Sequence, residues 1–249
     1  MLYKRNYRGL YLISILCFLV TAAFFTTAFP LEEKYQHIST IFVIFFAIPC
    51  YYGLVKTFGR AKAAIVILLM SLFALVLENI AIHTGFPYGR FSYGNLIGQT
   101  LGKVPWTVGF AWTPILFGAY ALAQKVASHK PLWQHILLTA LVMTAFDLVL
   151  DPGSVRLGFW TWENTVGFYN VPWSNFIGWL FSSSLAAGLL HSLLQLLKVS
   201  STSFSSWSYS SFFLMLFYWI AVCLFSQLWW VALVGLVLFM VFWRSVRPT

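Results

Sequence analysis

Long apolar runs separated by short polar segments make up most of the chain, a pattern typical of membrane-spanning helices. A helix needs about 20 apolar residues to cross a bilayer, and its backbone must satisfy its own hydrogen bonds there. Uninterrupted runs also argue against a β-barrel, whose strands alternate apolar and polar positions. Six transmembrane helices are therefore predicted at residues 10–29, 38–55, 63–82, 104–123, 132–150 and 176–197.

The last part of the chain carries two shorter apolar runs, 212–225 and 228–243. One helix over 209–243 would be about 50 Å long, well beyond the thickness of a bilayer. A turn near Ser226 and Gln227 is therefore predicted between two hairpin helices. The serine-rich stretch 200–211 is predicted to be a solvated connection. The expected fold is an all-α polytopic transmembrane bundle of about eight helices, with seven possible, in a single domain over residues 1–249.

Composition supports a membrane protein and excludes a soluble domain. Of the residues, 60% are hydrophobic and 8% are charged, whereas soluble domains contain about 25% charged residues. The run 10–29 follows basic residues, as the apolar region of a signal peptide does. It is longer than such a region, however, and is therefore predicted to be a membrane anchor.

Fifteen Lys and Arg against six Asp and Glu give a formal charge of +9, which predicts the orientation. With eight crossings, both termini lie on one side, and that side is expected to be cytoplasmic because it holds most of the basic residues. The predicted location is the cell membrane. The eleven basic residues on that side are Lys4, Arg5, Arg8, Lys56, Arg60, Lys62, Lys125, Lys130, Lys198, Arg244 and Arg247.

Four of the six acidic residues fall at or near the predicted outer face: Glu78, Asp147, Asp151 and Glu163. An ionisable group in a membrane-spanning segment is costly and indicates a functional site or a water-lined cavity. Asp147 and Asp151 share one helix face because they are four residues apart. The other two acids, Glu32 and Glu33, are explained by a solvated turn.

A purely structural role is the alternative for the four acids. They could pair with Arg90 or Arg156 and hold loops in place. Asp151, which precedes Pro152, could instead cap a helix end.

Two outer loops combine glycine, proline and aromatic residues with these acids. Glycine and proline favour tight turns, while aromatic rings offer apolar surface with a polar edge. An aromatic belt at the membrane interface is the alternative for Trp173 and Trp179. His83 has no second histidine at a zinc-like spacing, so no metal site is predicted. The candidate residues in these loops are His83, Tyr93, Trp160, Trp162, Asn175 and Trp179.

These residues resemble a family of membrane carotenoid-biosynthesis proteins that includes bisanhydrobacterioruberin hydratase and the carotenoid 1′,2′-hydratases. The resemblance covers roughly residues 78–197 and is most specific from 147 to 179. Phe91 departs from the pattern, because a second tyrosine is expected there. The matching motifs are Glu78 with Thr84-Gly-Phe-Pro-Tyr-Gly89 and Tyr93, Val104-Pro105 and Trp112, Asp147-Leu-Val-Leu-Asp-Pro152 with Trp160-x-Trp162, and Val171-Pro172 with Asn175 and Gly178-Trp179.

The resemblance implies that water is added to the terminal double bond of an acyclic carotenoid without a cofactor. The implied partners are a lipid-soluble carotenoid, water, the bilayer and other carotenoid-pathway enzymes, with no nucleic acid. Protonation of a trisubstituted alkene gives a tertiary carbocation. Such an enzyme therefore needs a protonated acid, a surface that tolerates positive charge, and a positioned water molecule.

The candidate residues can be matched to these needs. Desolvation disfavours the charged form of a carboxyl group, so Glu78 and Asp147 are the candidate proton donors, with Asp151 as the base that activates water. These roles could be permuted among the three acids. Tryptophan rings attract a neighbouring cation, and polar side chains position water. Trp160 and Trp162 are expected to face the cation, Tyr93 and Asn175 to position water, and His83 and Trp179 to contact the substrate.

Three alternatives remain open. A cyclase or isomerase of the same polyene would form the same carbocation but leave the product mass unchanged. A prenyltransferase would use Asp147-x-x-x-Asp151 to hold magnesium and a diphosphate, although the basic residues lie mainly on the other face. A transporter or lipid-binding protein would place the acids along a polar path, and would leave carotene unmodified.

Overall fold

A computed structural model of the chain describes residues 2–29, 32–127, 129–199 and 204–246, with side chains from residue 10 onward. The helices of the described residues are α1 (Leu2–Ala28), α2 (Gln36–Phe58), α3 (Arg60–Thr84), α4 (Val108–Val126), α5 (Leu132–Arg156), α6 (Trp173–Leu196), α7 (Ser206–Phe225) and α8 (Trp229–Val246). Short strands lie in the loops: β1 (Phe91–Tyr93), β2 (Thr100–Leu101), β3 (Val104–Pro105), β4 (Trp160–Trp162), β5 (Gly167–Phe168) and β6 (Val171–Pro172). A 3-10 turn at Glu33–Tyr35 precedes α2.

The architecture confirms the predicted all-α polytopic bundle. Seven of these helices are long and apolar enough to cross a membrane. The remaining helix, α4, is buried along most of its length by its neighbours. The orientation stays a prediction, and the side chains of Lys4, Arg5 and Arg8, together with Arg247, lie outside the described residues.

The termini of two predicted helices were wrong. Helix α4 begins at Val108 and not at Val104, because Val104–Pro105 pairs with Thr100–Leu101 in a small antiparallel hairpin. Helix α5 continues through Pro152 to Arg156, so Asp151 lies inside the helix and does not cap its end. That extension lengthens the helix face that carries the two aspartates.

The terminal hairpin is present, and its turn at Ser226 and Gln227 is confirmed, with Gln227 at a positive φ of 62°. Helix α7 nevertheless begins at Ser206, so the predicted solvated connection was wrong for residues 206–211. Residues 200–203 of that stretch lie outside the described residues.

Small residues explain why the serine-rich stretch is helical and buried. Ser208 and Ser211 are both fully buried, and the Cys50 backbone N–H donates to Ser211 Oγ at 2.9 Å. A Cβ atom at Gly53 would lie only 2.6 Å from the Ser208 nitrogen. Because small side chains let helices approach closely in membranes, these residues allow α7 to pack tightly on α2.

Helix α7 is central in the bundle. It packs against α1, α2, α4, α5 and α8. Helix α5 packs against α6 on the other side, and α3 lies against α4 and α6. The ends of α3 and α5 and the beginning of α6 therefore meet at one end of the bundle.

Candidate active site

Two aromatic loops are joined by a short sheet at this end of the bundle. Strand β1 pairs antiparallel with β4, which places Phe91 opposite Trp162 and Tyr93 opposite Trp160. Helix α3 ends at Thr84, and Gly85 follows it with a left-handed φ of 80° that suits a residue without a side chain. The chain can therefore turn back over the end of α5, so that residues about 70 apart in sequence become neighbours.

Three of the four predicted acids converge beneath this sheet. Glu78 comes from α3, and Asp147 and Asp151 come from one face of α5; their exposed fractions are 6%, 0% and 3%. The Glu78 carboxyl lies close enough to both aspartates to interact with them electrostatically. Such burial of three acidic groups is costly unless each has polar partners.

The two aspartates are held by the third residue of α6. Asn175 Nδ2 donates one hydrogen bond to Asp147 Oδ2 at 2.9 Å and another to Asp151 Oδ2. Asn175 thus bridges the two carboxyl groups, while Asp147 Oδ1 has no hydrogen-bond partner among the described residues. Because two adjacent buried carboxylates repel, a proton shared between them stabilises the pair. The pair can therefore store a proton inside the bundle.

Glu78 has a different partner. Tyr93 Oη donates a hydrogen bond to Glu78 Oε2 at 2.9 Å. Desolvation and the neighbouring Glu78 carboxyl raise the pKa of Tyr93 well above its ordinary value. The Tyr93 hydroxyl therefore stays protonated and acts as a donor. Its hydrogen bond orients the Glu78 carboxyl group through one of the two carboxyl oxygens.

A cavity of about 90 Å³ lies between these polar groups and a set of aromatic rings. This volume is enough for a few water molecules or the tip of an apolar chain. The Trp112 and Trp179 rings stack at one wall with centroids 6.0 Å apart. Trp162 Nε1 donates to the Tyr88 carbonyl at 3.2 Å and so fixes the opposite loop. The polar and aromatic lining comprises Glu78, Asp151, Asn175, Tyr88, Phe91, Tyr93, Trp112, Trp160, Trp162 and Trp179.

Two predicted site residues and one further acid of the predicted outer face do not line this cavity. Asp147 lies behind Asp151 and Asn175. His83 is exposed, and its Nδ1 pairs with the Asn79 carbonyl at 2.8 Å within its own helix. Glu163, the fourth predicted acid, is also exposed on the loop after β4.

The structural alternative for the acids finds no support in these contacts. None of the three buried carboxyl groups forms an ion pair with a side chain in the part of the chain that the structure describes. Their partners are the neutral Tyr93 and Asn175 instead. Arg90 and Arg156 therefore do not hold these groups.

Sequence reasoning gave no role to several residues that shape the cavity. Tyr88 is buried and donates to Ser182 Oγ at 3.1 Å, which fixes its ring against Trp179. Its position inside the motif 84–89 was the available signal. Trp112 is buried with an Nε1 that has no hydrogen-bond partner among the described residues, so it is free to donate to a molecule in the cavity. Ile115 and Leu150 complete the wall, and no motif marks them.

Comparison with known proteins identifies the family. A family model described as "Carotenoid biosynthesis protein" matches residues 35–242. The chain is also similar to bisanhydrobacterioruberin hydratase of Haloarcula japonica, with 36% identity over 128 residues that cover 50% of this chain and 43% of that protein. The matched part thus spans less than half the length of that relative, and no solved structure matches the chain. Since the family model covers most of the chain, this protein belongs to the carotenoid biosynthesis protein family.

Proposed function

We propose that this protein is a carotenoid hydratase, which adds water to the terminal double bond of an acyclic carotenoid in the membrane. The observation that carries the proposal is the meeting of two buried carboxyl groups, Glu78 and Asp151, with a wall of tryptophan rings in one cavity, and a third, Asp147, is joined to Asp151 through Asn175. The name of the Haloarcula japonica relative points to the same reaction. No redox change is involved, so the chain's own acids can supply the chemistry.

The first step is protonation of the alkene. Asp151 lines the cavity and transfers its proton to the less substituted carbon of the terminal double bond. A C–H bond forms, the π bond breaks, and the other carbon becomes a tertiary cation. Asn175 and Asp147 act as positioning residues here, because Asn175 donates to both carboxyl groups and Asp147 shares the proton of Asp151.

The tryptophan rings and Glu78 complete the reaction. A ring face stabilises a neighbouring cation by roughly 0.5–2 kcal/mol, and Trp160 and Trp162 lie beside the acids. Water attacks the cation while Glu78, oriented by Tyr93, accepts one of the water protons. The product is a tertiary alcohol, and return of that proton to the aspartate pair restores the enzyme.

This assignment exchanges two roles of the sequence-based hypothesis. That hypothesis used Glu78 and Asp147 as candidate donors and Asp151 as the base, with the roles open to permutation. Asp147 does not line the cavity, whereas Glu78 and Asp151 both do. We therefore assign the donor role to Asp151 and the base role to Glu78, and the proposal gives His83 no part.

Product analysis tests the reaction. Membranes that contain the purified protein are supplied with an acyclic carotene, and the product is expected to be heavier by one water, with its oxygen derived from ¹⁸O-labelled water. A product of unchanged mass would indicate a cyclase or isomerase. Oxygen derived from labelled O₂ would rule out hydration altogether.

A further inference from the structure

A second, larger cavity adjoins the acid cavity. It has a volume of about 560 Å³ and lies among α1, α2 and α7. Its walls are mainly apolar side chains, with a few polar ones such as Thr26, Ser39 and Glu32. We refer to it as the α1–α2 groove; its apolar lining includes Phe18, Ala22, Phe42, Phe46 and Met215.

The groove and the acid cavity lie side by side and share part of their walls. Five residues line both spaces, namely Ile97, Ala111, Ile115, Leu150 and Trp160. Four of these are apolar side chains, and the fifth is one of the tryptophans beside Asp151. None of the five is charged, so no charged side chain stands in the wall that the groove shares with the acid cavity.

The groove is covered on its outer side by side chains rather than by packed helices. Helices α1 and α2 both pack on α7 and make little contact with each other. Phe18 of α1 meets Phe42 and Phe45 of α2 with ring centroids 6.1 Å apart in each pair. Phe18 and Phe45 are 52% and 40% exposed, so they face the bilayer. Rotation of such rings is fast and far easier than separation of packed helices.

We propose that a linear polyene enters from the bilayer between α1 and α2 and lies in this groove, with its tip at Leu150 and Trp160. The identity of the ligand rests on the proposed function. A polyene fits better than a lipid acyl chain, because only the polyene ends in an alkene that the adjoining acids can protonate. Phe18, Phe42 and Phe45 form the entrance, and the groove selects for long, acyclic, apolar bodies.

Bulky substitutions in the two walls test the location. Ala22→Trp in α1 and Ser39→Trp in α2 fill the groove, since both residues line it. The matched controls are Val20→Trp and Ile41→Trp, which lie two residues away and are 37% and 63% exposed. Both groove variants are expected to lower conversion of a long acyclic carotene by roughly tenfold or more, while the controls keep it. Equal conversion by all four variants would overturn the groove as the binding site.

Binding measured without turnover separates this proposal from the proposed function. In an Asp151→Asn background, the absorption shift of the bound carotene reports occupancy. Loss of that shift in Ala22→Trp, with retention in Val20→Trp, supports the groove even if the wild-type protein yields no hydrated product. An unchanged shift in both groove variants overturns the groove while leaving hydration intact, and no shift in any variant overturns occupancy by a polyene.

Substrate length supplies a readout that misfolding would not produce. A short acyclic alkene with the same trisubstituted tip need not occupy the groove. Its conversion by Ala22→Trp is expected to fall much less than that of the long carotene, relative to the wild-type protein. An equal fall for both substrates would indicate general damage and would count against a selective groove.

Discussion

The two ends of the bundle each contain a polar cavity, and the two differ in the sign and burial of their charges. The acid cavity of about 90 Å³ is lined by Glu78 and Asp151, and Asp147 lies behind its wall. All three residues are 0–6% exposed. The opposite cavity, of about 440 Å³, is lined by Lys125, Lys130, His135 and His191 and by none of the six acids. The basic cavity is the larger of these two, although the α1–α2 groove of about 560 Å³ adjoins the acid cavity.

The polar groups of the basic cavity have mainly local structural partners. Tyr120 Oη pairs with His191 Nδ1 at 3.1 Å, and His135 Nε2 pairs with the Tyr120 carbonyl at 3.3 Å. Lys125 Nζ donates to the Val246 carbonyl at 3.1 Å. Basic residues at one membrane face are expected from orientation alone, whereas buried acids are costly. Burial of unpaired carboxyl groups therefore distinguishes the acid end, where we propose the reaction, from the basic end.

Removal of an acid from the cavity should have the largest effect. Asp151→Asn and Glu78→Gln are each expected to lower conversion of an acyclic carotene by about 10²–10⁴-fold, the usual contribution of a general acid or base. Glu163→Gln is the matched control, since Glu163 is exposed outside the cavity, and it should convert normally. Unchanged conversion by Asp151→Asn or Glu78→Gln would remove that residue from the mechanism.

Loss of a single donor should have a smaller effect. Tyr93→Phe removes the hydrogen bond to Glu78 but keeps the ring that faces Trp160. Hydrogen bonds to charged groups are worth about 1.5–3 kcal/mol, so conversion should fall by roughly ten- to a hundredfold. Tyr52→Phe, an exposed tyrosine at 46%, serves as the control. Equal rates for the two variants would show that Glu78 needs no such donor.

The contact between the first loop and α6 is expected to matter less. A Cβ atom at Gly178 would lie 2.6 Å from the Pro87 carbonyl oxygen and 2.7 Å from Tyr88 Cδ1, whereas one at Gly188 would have only Ile136 Cδ1 nearby, at 3.8 Å. Gly178→Ala should lower conversion by about tenfold through displacement of Tyr88. Gly188→Ala should be tolerated. Similar activity and thermal stability for the two variants would contradict this role for the loop.

Substitutions in the basic cavity should have the smallest effect. Lys125→Gln and His191→Gln are expected to change conversion by less than about twofold, as for surface sites remote from the reaction. The measurement is the same carotene assay, performed beside Asp151→Asn. A large loss of conversion in either variant would contradict the distinction between the two cavities and would show that the basic end takes part in the reaction.

Much of the candidate site could be predicted from the sequence. The positions of Glu78, Asp147 and Asp151 in apolar runs marked them as unusual, and the alternation of helices placed them at one end of the bundle. Tyr93 was expected to position water, which stays a prediction, and its hydroxyl donates to Glu78. His83 was expected to contact the substrate, but its side chain is exposed. Its separation from Glu78 in the sequence did not show which side of α3 faces the cavity.

The sequence by itself determined that the chain spans a membrane as helices, because transfer of an apolar run into lipid depends on local composition. It also determined that a few acids would be expensive to bury. Only the tertiary structure decided that Asp151 faces the cavity while Asp147 lies behind it, and that Trp160 stands opposite Tyr93. These relations depend on helix rotation and on strand pairing between segments about 70 residues apart, and no local pattern specifies either of them.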